Sequence, residues 1–71
     1  MISREKFVSA VSESLVQFGY PDASREKIDE VLTAWLLGRR GKDLPHGIIG
    51  RFAEGQFDEA EDNGWKLGDL K

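Results

Sequence analysis

Few side chains in this chain of 71 residues are of the kinds that carry out catalysis. His46 is the single histidine, and histidine is the side chain that titrates near neutral pH. Glu54, Asp58 and Asp62 follow one another at intervals of four, so a helix would bring their carboxylates together on one face. No serine lies in a nucleophile elbow, and no phosphate-binding glycine motif precedes a lysine. Because nothing completes a site around these groups, the sequence predicts a protein that is not an enzyme and uses no cofactor.

Metal-binding residues are equally sparse. With one histidine and no cysteine, a zinc site is almost excluded. Asp58, Asp62 and Asp69 are spaced like three of the ligands in a calcium-binding EF-hand loop. That loop also needs a central glycine and a final glutamate, whereas here the glycine is displaced to Gly64 and the final ligand is an aspartate. We therefore predict no metal site and interpret this stretch as the solvated acidic end of a helix.

Positive charge is concentrated in one segment of an otherwise acidic chain. Residues 39–52 hold four basic residues and one acid, whereas residues 53–71 hold six acids and two basic residues, and the net charge is -3. A local surplus of positive charge attracts anions and acidic surfaces. We therefore predict that the partner-binding residues lie in this basic segment and are Arg39, Arg40, Lys42, His46 and Arg51. The alternative is a solvated loop whose cations compensate a helix end and the acidic residues that follow.

The spacing of apolar residues predicts two helices in the first half of the chain, over about residues 3–18 and 24–38. The first would place five apolar side chains on one face: Phe7, Val8, Val11, Leu15 and Phe18. The second would do the same with Ile28, Val31, Leu32, Trp35 and Leu36. The tetrapeptide Ser-Arg-Glu-Lys opens both helices, with serine as the expected N-cap. This repetition indicates either the same start chemistry used twice or a duplicated helical unit.

A third helix is predicted over about residues 44–63, with Pro45 in its first turn. Its expected core positions are Ile48, Ile49, Phe52, Ala53, Phe57 and Ala60. Gly47, Gly50 and Gly55 each cost about 1 kcal/mol relative to alanine inside a helix, so the helix is either continuous or broken near Gly55. Gly50 and Ala53 lie one turn apart, which would let another helix approach closely. Beyond the helix, a tail is expected to dock on the core through Trp65, Leu67 and Leu70.

These elements predict one all-α domain, a compact three-helix bundle with an ordered C-terminal tail. No window approaches the roughly 18 continuous apolar residues of a membrane span. The N-terminus leads directly into a charged amphipathic pattern, which is not typical of a signal peptide. We therefore expect a soluble cytoplasmic protein.

The sequence Phe18-Gly19-Tyr20-Pro21 after an amphipathic helix resembles the first loop of ubiquitin-associated domains. Those domains are three-helix bundles that present a glycine-aromatic loop and part of the third helix to an apolar patch on a partner. The resemblance covers these four residues and the number of helices, and the chain departs from it in its long second helix and glycine-rich third helix. The alternative is a helix end with Tyr20 packed on the core.

From the charge segregation, we expect a small non-enzymatic protein-interaction module, such as a regulator, adaptor or inhibitor. It would bind a protein partner or a second copy of itself through the basic segment. The alternative is a nucleic-acid-binding module in which Arg39, Arg40, Lys42 and Arg51 contact phosphates. A DNA-reading third helix is disfavoured, because its many acidic residues would be repelled by phosphates.

Overall fold

The computed structural model describes residues 3–66 and Leu70. Residues 3–66 form three α-helices and one short 3₁₀ turn. They are α1 (Arg4–Gln17), α2 (Arg25–Leu36), the 3₁₀ turn (Gly41–Asp43) and α3 (Ile48–Asp62). Each helix packs against the other two, so the predicted all-α three-helix bundle is confirmed.

The first two helices begin at the predicted serine caps, whereas α1 ends at Gln17 and α2 at Leu36, one and two residues before the predicted ends. The Ser3 hydroxyl accepts a hydrogen bond from the Lys6 amide at 3.2 Å, and the Ser24 hydroxyl accepts one from the Lys27 amide at 3.3 Å. Such caps satisfy amides that have no partner within the helix. The chain leaves α1 through Gly19, whose φ of 104° is accessible mainly to glycine.

The core lies between the three helices and is centred on Phe57, which is fully buried. Its ring centroid lies 5.6 Å from that of Phe7 on α1 and 5.8 Å from that of Trp35 on α2. Tilted and edge-on aromatic pairs of this kind add about 0.5–1.5 kcal/mol to the gain from burial. Phe57 therefore links all three helices through aromatic contacts.

Three apolar side chains that the periodicity places in the core are exposed: Phe18 by 73%, Ile48 by 58% and Phe52 by 43%. Phe18 is the C-cap of α1, where the chain turns away from the helix. The buried residues of α3 are Gly50, Ala53 and Phe57. Ile48 and Phe52 are turned away from that face by the helical twist. The core prediction is wrong at these three positions, because it assumed a wider buried face than the bundle provides.

The third helix begins at Ile48 and not near residue 44 as predicted. His46 and Gly47 both have left-handed backbones, with φ of 69° and 56°, and an α-helix cannot pass through them. Leu44 is buried in the core instead. Once begun, α3 continues to Asp62 without a break at either internal glycine.

Gly50 makes a close contact, but its neighbour is not the helix that the sequence suggested. A Cβ atom at Gly50 would lie 2.3 Å from the carbonyl oxygen of Pro45 and 3.4 Å from Cβ of Leu44. The glycine therefore allows the start of α3 to lie directly against the segment that precedes it.

The C-terminal tail docks on the bundle at the two residues where the structure describes its packing. The ring of Trp65 lies 5.5 Å from that of Phe7, and Leu70 is buried. The Arg4 guanidinium donates to the Leu70 carbonyl at 3.3 Å. The expected docking is confirmed for Trp65 and Leu70, whereas Leu67 lies outside the described residues.

A buried serine of α1 forms a hydrogen bond with the loop between α1 and α2. The Ser12 hydroxyl donates to the Ala23 carbonyl at 2.5 Å. We expect Ser12→Ala to lower the free energy of unfolding by about 1–2 kcal/mol, because the carbonyl of buried Ala23 loses this partner. Urea denaturation would measure the loss, with Ser9→Ala on the same helix as a control that changes stability by less than about 0.5 kcal/mol. Equal effects of the two substitutions would contradict the proposed role of Ser12.

Candidate interaction surface

Four of the five predicted partner-binding side chains in the basic segment are exposed, and one of these four, Arg40, also holds the segment in place. Arg39, Lys42 and Arg51 are exposed. Arg40 and His46 make contacts with α2. The structure therefore leaves three of the five predicted partner-binding side chains available to a partner without breaking a described contact.

Arg40 closes the end of α2. Its guanidinium lies 4.4 Å from the centroid of the Trp35 ring, and Nη1 donates to the carbonyls of Trp35 at 2.7 Å and of Arg39 at 2.6 Å. Carbonyls in the last turn of a helix lack partners within the helix, and a cation there also complements the helix dipole. Arg40 thus stabilises the helix end from which the basic segment leaves.

His46, just before α3, attaches the segment to α2 a second time. Its Nε2 atom lies 2.6 Å from a carboxylate oxygen of Glu30. The ring is largely covered, whereas the carboxylate remains mostly exposed. This contact helps to hold His46 in its left-handed backbone conformation, which costs energy for any residue other than glycine.

The middle of the segment is fixed to α3. The amide of Gly41 donates to Glu54 Oε2 at 3.0 Å, and Leu44 is buried. Arg51 lies one turn before Glu54 on the same helix, so the 3₁₀ turn and Arg51 occupy neighbouring parts of the surface. Arg39 and Lys42 are therefore presented by a connection that is attached to α2 through Arg40 and His46 and to α3 through Gly41.

Apolar side chains border these cations. Leu37, at the C-cap of α2, is 77% exposed and lies two residues before Arg39. Ile48 is exposed in the first turn of α3, one turn from Arg51. The surface thus combines positive charge with accessible apolar groups, which is the composition of many protein-binding sites.

A second exposed apolar patch joins the loop after α1 to α3. The ring of Tyr20 lies 4.8 Å from that of Phe52. With Leu15, Phe18 and Gln56, these rings line a shallow groove of about 280 Å³. The sequence pattern assigned Phe18 and Phe52 to the core and so missed this patch. The sequence signal for it is the loop Phe18-Gly19-Tyr20-Pro21, in which Phe18 directly precedes the glycine that ends the helix.

Two kinds of feature are absent from the described part of the molecule. Within residues 3–66 and Leu70, no three histidine or acidic side chains come together in a group that could hold a metal ion. No helix among those residues is long and apolar enough to cross a membrane. Asp69, the last residue of the calcium-loop pattern, lies outside the described residues.

Comparison with known proteins adds no further assignment. No protein family, no curated protein and no solved structure matches this chain.

Proposed function

We propose that this chain is a small non-enzymatic protein-interaction module whose basic segment binds an acidic or mixed acidic and apolar surface of a partner protein. The observation that carries the proposal is the exposure of Arg39 and Lys42 beside the exposed Leu37. Arginine is enriched at protein interfaces and apolar contact fills their centre, so an exposed arginine close to an exposed leucine suits a binding surface.

The anchored backbone supports the same function. Binding by a mobile loop loses conformational entropy, which lowers affinity. Here the Gly41 amide is bonded to Glu54 and Leu44 is buried, so the 3₁₀ turn is ordered before a partner arrives. The exposed cations would then speed the encounter and orient the partner, whereas Leu37 would supply apolar contact.

Arg40 and His46 take supporting roles in this proposal. Arg40 is held over Trp35 and His46 is held by Glu30, so their side chains position the segment. The residues proposed to touch the partner are Arg39, Lys42 and Arg51, with Leu37 and Ile48.

The same surface is less suited to nucleic acid. Arg51 shares its helix with four exposed acids, namely Asp58, Glu59, Glu61 and Asp62. Asp43 is also exposed within the 3₁₀ turn. A phosphate backbone that follows the cations would meet these carboxylates and be repelled. We therefore place a protein ahead of nucleic acid as the partner.

Charge reversal combined with affinity capture tests the proposal. The immobilised chain is compared with Arg39→Glu/Lys42→Glu and with Lys6→Glu/Arg25→Glu. The second pair is a matched control, because both residues are exposed in the first turns of α1 and α2 and the charge change is the same. We expect a protein partner to be retained by the wild type and the control, and retention by the first variant to fall about tenfold or more.

Equal retention by all three proteins would contradict the proposed surface. A titration with short mixed-sequence DNA and RNA at low salt, followed by amide NMR, separates the two partner classes. We expect no shifts in residues 38–52. Salt-reversible shifts confined to that range would instead identify nucleic acid as the ligand.

A further inference from the structure

One face of α3 carries a stripe of residues that the described part of the molecule leaves largely open to solvent. Ile48, Phe52, Gly55 and Glu59 are separated by four, three and four residues, the spacing that keeps side chains on one seam between two packed helices. All four are exposed, and Phe52 is covered on one side by Tyr20. Ile48 and Phe52 are the large apolar members of the stripe, and apolar residues at this spacing form the seam when two helices pack together.

Gly55 lies in the middle of the stripe, and no contact in the described part of the molecule requires a glycine there. A Cβ atom there would have no neighbour within 4 Å, and the glycine has an ordinary helical backbone. Glycine weakens a helix at such a position. It also leaves a depression on the helix surface, into which a large side chain of another molecule can pack.

The charges beside the stripe are self-complementary. Arg51 and Asp58 lie along the same edge of it, one on each side of Gly55, and the only described ion pairs involve other residues. If a second α3 lies antiparallel to the first, Arg51 of each copy faces Asp58 of the other. A parallel arrangement would place the two copies of this edge on opposite sides of the seam, so Arg51 and Asp58 would not meet.

The centre of the stripe follows the same symmetry. In the antiparallel arrangement Phe52 of each copy lies opposite Gly55 of the other, so the largest side chain of the stripe meets the smallest. An interface between identical subunits related by a two-fold axis must be self-complementary in this way. A domain of this size also has a limited core of its own and gains stability from association.

We propose that the chain forms a two-fold symmetric dimer through antiparallel packing of α3 on α3, with Phe52 over Gly55 and with reciprocal Arg51–Asp58 ion pairs. This inference goes beyond the proposed function, because the occupant of the surface is a second copy of this chain. Of the residues named for each, only Arg51 and Ile48 belong both to the proposed partner-binding surface and to the proposed dimer surface.

Charge reversal with cross-mixing tests this arrangement in purified protein. Sedimentation across a range of concentrations should show a monomer–dimer equilibrium for the wild type. Arg51→Glu alone and Asp58→Arg alone should each raise the dimer dissociation constant about tenfold or more, because each places like charges opposite one another. An equimolar mixture of the two variants should associate again, since both ion pairs are restored in the mixed dimer.

The controls separate this proposal from the preceding one. Arg25→Glu and Arg39→Glu/Lys42→Glu should leave the dimer dissociation constant unchanged, whatever they do to a partner protein. If the wild-type chain stayed monomeric at every concentration, the dimer proposal would be wrong. The stripe would then be a binding surface for a different protein. A dimer that is indifferent to both reversals, or not restored by mixing them, would overturn the antiparallel arrangement.

Discussion

Gly50→Ala is expected to lower the free energy of unfolding by about 2 kcal/mol, although alanine is the better helix former. The added Cβ would lie 2.3 Å from the Pro45 carbonyl oxygen, well inside any permitted contact, and a rigid backbone atom cannot rotate away. Relief would require α3 to move from the segment that contains buried Leu44. Overpacking of this kind costs about 1–3 kcal/mol in protein cores, and backbone overlap belongs in the upper part of that range.

Gly55→Ala supplies a matched control on the same helix. Its Cβ would meet nothing within 4 Å, so the usual helix preference applies and stability should rise by about 0.5–1 kcal/mol. Urea denaturation followed by circular dichroism, at a protein concentration that keeps the chain monomeric, would measure both changes. If the two alanines changed stability in the same direction, the close packing at Gly50 would be wrong.

Arg4→Ala is expected to be the second large loss, also about 2 kcal/mol. Nε of Arg4 donates to a carboxylate oxygen of Asp29 at 2.8 Å, and Nη2 donates to the Asp29 carbonyl at 3.1 Å and to the Thr33 hydroxyl. Nη1 reaches the Leu70 carbonyl. The Asp29 carboxylate is half exposed, so the ion pair itself contributes less than about 1 kcal/mol. Most of the expected loss comes from the hydrogen bonds of a charged donor to α2 and the tail.

The repeated tetrapeptide provides the control for Arg4. Arg25 occupies the same place in the second copy of Ser-Arg-Glu-Lys but is exposed, so Arg25→Ala should change stability by less than about 0.5 kcal/mol. Arg4→Lys keeps the charge and loses the forked geometry, and should recover less than half of the loss. Full recovery by lysine in thermal or urea denaturation would show that charge alone matters at this position.

The parts of the fold that local chemistry determines were predictable. Ser3 and Ser24 cap their helices as their position before an amphipathic pattern indicated, and Gly19 ends α1 in the left-handed conformation that glycine favours. The start of α3 was not predictable in the same way. Pro45 is suited to a first helical turn. However, Leu44 is buried and the Gly41 amide is hydrogen-bonded to Glu54, and these contacts hold the chain before α3 in a conformation that is not α-helical.

The site was predictable only as a set of charges. The sequence located the basic segment, but it could not indicate that Arg40 would lie over Trp35 or that His46 would meet Glu30. Those contacts join residues on different elements, and their partners depend on how the helices cross. For the same reason Arg4 and Arg25, identical in local sequence, have different roles that only the packing distinguishes.

The positions of the two tryptophans give the molecule two separate optical reporters. Trp35 is buried beside Phe57, whereas Trp65 is partly in water where the tail meets Phe7. Their emission maxima should therefore differ, and a soluble quencher should reach Trp65 first. Detachment of the tail would change one signal and leave the other intact. Fluorescence can thus distinguish fraying at the end of the chain from cooperative loss of the whole fold.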